Sequence, residues 1–158
     1  MSRMIRSKKV FWICLALALL WILLIFLHSL QDGEKSSRES GLLWEILVTL
    51  IPRLSHGLVR KLGHLAEFTV LGCLLGGAFR LKRTPAGIKR LPPWVRHLLL
   101  PAYCGLVVAF CDEIIQTAVP GREGRITDVL IDFAGILLGL LIVAVWKRFG
   151  KGDRDGQP

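Results

Sequence analysis

VFWICLALALLWILLIFL, residues 10–27, contains no charged side chain, and how this stretch is read decides the fold. A soluble domain has no means of burying the whole circumference of such a helix. At about 1.5 Å per residue, a helix needs roughly 20 apolar residues to cross a bilayer core, and this run is close to that length. Arg3, Arg6, Lys8 and Lys9 precede it, which suits either a signal peptide or a retained anchor. The run is longer than the apolar region of a signal peptide, and His28-Ser29-Leu30-Gln31 offers no small-x-small cleavage motif. A retained first span at about 10–28 is expected.

Three more stretches of span length follow, at about 62–81, 98–119 and 127–146. Polar residues 31–41 (QDGEKSSRESG) leave the first span. An apolar stretch at 42–51, interrupted by Glu45 and stopped by Pro52, is too short to cross. It is expected to lie as an interfacial or re-entrant helix, with Trp44 at headgroup level. The expected fold is an all-α integral membrane protein of four transmembrane helices plus that short helix. A basic cytoplasmic segment at 1–9 precedes the transmembrane domain at 10–146, and a polar, disordered tail at 147–158 follows it. Gly72 with Gly76, and Gly135 with Gly139, form small-xxx-small pairs that predict close helix approach.

Composition agrees with this reading. The chain has 158 residues, is 53% hydrophobic and carries a formal net charge of +9. In a soluble protein that charge would suggest nucleic acid, but no basic stripe carries stacking aromatics, so no nucleic-acid partner is expected. The basic residues instead mark topology. With four spans, the N-terminus, the 82–96 loop and the tail share a side that holds fourteen of the 21 Lys and Arg residues. That bias places both termini in the cytoplasm of a multi-pass plasma-membrane protein. Cys14, Cys73, Cys104 and Cys111 all sit in apolar runs and read as free thiols.

Topology then sorts the polar residues. His64 and Glu67 open the second span on the non-cytoplasmic side, while Asp112, Glu113 and Gln116 close the third on that side. Arg122, Arg125, Asp128 and Asp132 belong to the tight 120–125 loop and the first turns of the fourth span. His64 and Glu67 are three residues apart; Asp112 and Gln116, and Asp128 and Asp132, are four apart, so each pair can share a helix face. A carboxylate at a span's centre costs about 2.5–3.5 kcal/mol on insertion scales, so several acids at one depth must face each other, water or arginine. An outer-face polar cleft is expected. Asp128 also has a plainer reading, as an acid favoured by the helix dipole in a first turn.

His64, Glu67, Asp112 and Glu113 are the acid–base candidates for such a cleft. Lys61, Gln116, Arg122, Arg125, Asp128 and Asp132 are the candidates for holding a substrate or lipid headgroup, for which a guanidinium fork is well shaped. The HxxE spacing of His64 and Glu67 is too common to assign a metal, and no GxSxG, HExxH or phosphate-loop motif occurs. No metal and no other cofactor is assigned.

Several motifs in order resemble the VanZ-like family of small multi-span bacterial membrane proteins. They are Lys61-x-x-His64-x-x-Glu67, Asp112-Glu113-x-x-Gln116, Pro120-Gly121-Arg122, and Asp128 followed by Gly135 and Gly139. The resemblance runs from about Ser29 to Leu140. It implies functional roles for Lys61, His64, Glu67, Asp112, Glu113, Gln116, Arg122 and Asp128; the family's namesake is associated with teicoplanin-type glycopeptide resistance, a link that membership alone does not carry to this chain. Two positions depart from the family pattern: Phe68 where Tyr is frequent, and Asp132 where Asn is common. The expected partners are membrane lipids and a lipid-linked envelope precursor, bound or modified at the cleft. The alternatives are a non-catalytic shielding or scaffold protein and a small proton-coupled transporter. Spacing does not specify an oligomeric state.

Overall fold

The computed structural model describes residues 2–31, 55–80 and 90–152, with isolated positions at 41, 45–46 and 49. Among these residues all regular structure is helical. Helix α1 is Ser2–Ser29, α2 His56–Phe79, α3 Leu100–Thr117 and α4 Ile126–Gly152. Each contributes a segment long and apolar enough to cross a membrane: Phe11–Ser29, Gly57–Phe79, Val95–Thr117 and Ile126–Trp146. The expected interfacial helix at 42–51 falls almost wholly outside the described residues.

Three helix limits differ from expectation, the first being α2, which begins at His56 rather than near 62 because Ser55 caps it there. The third span begins earlier, with a π turn at Val95–Leu99 running directly into α3. Pro101 explains the wide turn: it lacks an N–H, and its ring crowds the carbonyl four residues back. Leu100 accordingly donates its N–H to the Val95 carbonyl, five residues back. At the other end of the chain, α4 passes Trp146 and continues to Gly152. Lys147 and Arg148 are good helix formers, and nothing before Gly150 breaks the pattern. The tail expected to be disordered is therefore helical through 152.

At its N-terminus, α2 is capped by Ser55, whose hydroxyl accepts the Leu58 N–H at 3.2 Å. Helices α2 and α4 then form the most extensive packing among the described helices. Their glycines explain why. A Cβ on Gly135 would stand 2.6 Å from the Leu65 carbonyl oxygen, and one on Gly139 would strike the Thr69 carbonyl and lie 2.6 Å from the Cys73 nitrogen. Gly72 meets the Ile136 backbone in the same way. Backbone lies against backbone, as small-xxx-small pairs permit in a bilayer. Phe68, Leu71, Ile136, Leu140 and Ala109 fill the remaining interior, and Ile25 of α1 closes it.

The outside is apolar. Leu19, Leu23, Tyr103, Ile114, Leu130, Leu141 and Trp146 are exposed, as side chains facing acyl chains would be. Helix α1 is peripheral: 11% of its apolar window is buried, against 39% for α4. Cys14, Cys73, Cys104 and Cys111 are free.

Candidate functional site

The C-terminal ends of α1 and α3 and the N-terminal ends of α2 and α4 lie at the same end of the bundle, and polar side chains gather there. The loop from α3 to α4 shapes part of this end. Gly121 takes a φ of 73°, a left-handed conformation that lets the chain reverse directly after Pro120. Gly124 then lies against α3, where a Cβ would come within 2.6 Å of the Glu113 carbonyl oxygen. That approach brings the Arg125 backbone N–H to 2.7 Å from Glu113 Oε2.

Asp112 is held from two sides. Gln116, one turn on, donates from Nε2 to Asp112 Oδ2 at 2.7 Å, the contact that i, i+4 spacing anticipates. The Ser29 hydroxyl at the end of α1 donates to Asp112 Oδ1. Across the bundle, His64 Nδ1 on α2 lies 3.2 Å from Asp132 Oδ1 on α4. His64, Asp112, Glu113 and Asp132 each offer a donor atom, and these atoms all lie within 4.8 Å of one another.

The other candidates sit around this cluster rather than in it. Glu67 is drawn towards α1: its Oε2 is 3.6 Å from His28 Nδ1, and its backbone carbonyl accepts the Trp21 indole N–H at 2.9 Å. Asp128 is buried, with Arg60 Nη2 at 3.8 Å from its Oδ2 and the Thr127 hydroxyl at 3.4 Å from its Oδ1. Arg122 is half-buried and donates from Nη1 to the Ser29 carbonyl at 3.3 Å, satisfying a backbone acceptor at the end of α1. Arg125 turns its exposed guanidinium outward to Glu123 Oε2 at 2.7 Å, which holds that carboxyl below its ordinary pKa. Lys61 is exposed on the first turns of α2.

Sequence reasoning missed Ser29 and His28. Both lie at the end of the first span, at the depth where the acids were expected, so the same topological sorting could have included them. It also grouped Asp132 with the headgroup ligands, whereas the bundle sets it beside His64.

Fold and site together define a multi-pass helical membrane protein with ionisable groups built into one end. Residues 12–147 match the family model described as VanZ/LLP1, and the chain belongs to that family. No curated protein and no solved structure matches it.

Proposed function

We propose that the polar end of the bundle binds the anionic head of a cell-envelope lipid or lipid-linked precursor, or modifies it with His64 and a carboxylate as acid and base. One observation supports this reading above all: an imidazole, carboxylates, a hydroxyl and a carboxamide from all four helices meet at one end of an otherwise apolar bundle. Arg60, Arg122 and Arg125 occupy that same end. A ligand for such a place needs a charged head and a tail that tolerates the apolar outside, which describes a lipid. In this reading His64 and a carboxylate of Asp112 or Glu113 move the proton, and Arg122, Arg125 and Lys61 attract the head.

In this reading the site faces the non-cytoplasmic side of the bacterial inner membrane and both termini are cytoplasmic, an orientation supported by the bias of Lys and Arg along the sequence. A protein altering an envelope precursor there would also change what a teicoplanin-type glycopeptide can reach, which is how family membership and site would connect.

Native mass spectrometry of the gently extracted protein tests the binding. A specific anionic lipid should remain on the wild type, fall at least tenfold in Arg122→Ala and be partly restored in Arg122→Lys. In cells, Asp112→Asn at normal protein level should reproduce the deletion strain's envelope lipid profile. If no lipid is retained beyond the bulk composition and the profile is unchanged, the reading is wrong.

A scaffold reading has its own support in the Ser29–Asp112 bond, which joins α1 to α3 and is braced by Gln116, and in the Arg122–Ser29 bond, which ties the α3–α4 loop to α1. Under it, Ser29→Ala and Asp112→Asn would lower unfolding stability with a coupled double-mutant energy and leave lipid retention untouched.

A further inference from the structure

We infer that His64, Asp112, Glu113 and Asp132 form a binding site for a single divalent transition-metal ion of the Zn²⁺ or Mn²⁺ class. Residue spacing alone assigned no metal; the fold supplies what spacing lacked. Three carboxylates and one imidazole, drawn from α2, α3 and α4, place donor atoms within 4.8 Å of one another. At metal–ligand distances of about 2.0–2.2 Å, the ligand atoms of a tetrahedral ion stand roughly 3.4 Å apart. The His64 and Asp132 atoms are already 3.2 Å apart, and the widest pair needs to close by roughly 1.4 Å at most, a movement of side-chain ends rather than of helices.

A second observation points to a ligand. Glu113 Oε1 and Asp132 Oδ2 are buried, and no hydrogen-bond donor among the described residues reaches either atom. Their residues are 6% and 0% exposed, and Asp112 is 1% exposed. Buried carboxylate oxygens are normally satisfied, so an orphaned pair within one tight cluster calls for a cation. Nearby arginines are engaged elsewhere: Arg60 lies beside Asp128, and the Arg125 guanidinium holds Glu123.

The surroundings suit a metal. Ligating carboxylates are usually oriented by hydrogen bonds of their own. Ser29 and Gln116 orient Asp112, and the Arg125 backbone N–H orients Glu113. One nitrogen with three oxygens favours a borderline first-row ion over Mg²⁺ or Ca²⁺, which prefer oxygen alone. An ion held there would occupy the lone pairs that His64, Asp112 and Glu113 need to move a proton, so a metal-loaded site keeps the binding half of the proposed function and replaces its proton step; its test is separate from the lipid experiments.

The test uses the full-length protein in detergent, stripped of metal and titrated calorimetrically with ZnCl₂, MnCl₂, MgCl₂ and CaCl₂. The wild type should bind one Zn²⁺ or Mn²⁺ per chain, at least tenfold tighter than Mg²⁺ or Ca²⁺, and unfold at a higher temperature when loaded. Asp132→Asn and Glu113→Gln should each weaken binding at least 100-fold while keeping wild-type helical circular dichroism. Ser29→Ala, acting through Asp112, should weaken it about 10–100-fold. Glu123→Gln, in the exposed loop, should bind as the wild type does. If Asp132→Asn fails to fold, Glu113→Gln decides the matter alone. The inference is overturned by non-saturable or substoichiometric binding to the wild type, by equal affinity for Ca²⁺ and Mg²⁺, or by wild-type affinity in Glu113→Gln.

Discussion

Gly139→Leu should leave almost no folded bundle. In unfolding titrations with a denaturing detergent, followed by far-UV circular dichroism, the loss should exceed about 3 kcal/mol, the upper part of the overpacking range. The reason is what the new side chain would meet. Already at Cβ it would strike the Thr69 carbonyl and crowd the Cys73 nitrogen, both backbone atoms of α2 that cannot rotate away. The two helices would have to separate, and among the described helices theirs is the most extensive contact. Gly77 provides the internal control. It lies on the same helix as Gly72 and Gly76, but a Cβ there meets nothing within 4 Å. Gly77→Leu should leave stability within about 0.5 kcal/mol of wild type, as substitutions away from packed features do. Equal losses for the two substitutions would mean that α2 and α4 do not meet along this face.

The second large effect concerns His64. His64→Ala should destabilise the metal-free protein by about 1–3 kcal/mol, the cost of leaving a buried polar group without its hydrogen-bond partner. The substitution strips Asp132 of its hydrogen-bond partner at Oδ1, while Oδ2 has none among the described residues. Joint replacement, His64→Leu with Asp132→Leu, should recover most of the loss, because a buried pair exchanged for apolar residues is often neutral or better. The same unfolding titration, run with a chelator present, measures both variants. An additive double mutant would show that the two groups do not interact.

The fold was largely legible because membrane spans announce themselves through missing charge. The run at 10–27 needs no partner to be recognised, and the glycine pairs reveal a close face without naming its neighbour. The early start of the third span was less visible. Arg96 and His97 look like loop residues in an apolar scan, and the π turn arises from Pro101 acting on carbonyls upstream of it. The tail's first residues were read as disordered from their polarity, although Lys and Arg sustain a helix well.

The site was legible in depth but not in pairing. Topology assigned the candidate acids to one level, and i, i+4 spacing anticipated the Gln116–Asp112 contact. Spacing says that two residues share a face; it does not say which helix that face meets. That rotation separates Glu67, turned to His28, from His64, turned to Asp132. It also explains why Arg125 contributes its backbone to Glu113 while its side chain points away. Ser29 escaped notice because a lone hydroxyl at the end of an apolar run carries no signal until its partner is known.

The interlocked backbones of α2 and α4 limit how the molecule can breathe. Two helices whose carbonyls touch the partner's glycines move as one rigid plank, and Gly105, pressed against Ile136, ties α3 to the same plank. Helix α1 is attached more lightly: Ala18 and Ile25 pack into the interior, and Ser29, the Trp21 indole and Arg122 add polar bonds that water or a ligand can replace. In the proposed reading a lipid head reaches the acidic cluster on the α1 flank, which is less buried than the glycine-locked face between α2 and α4.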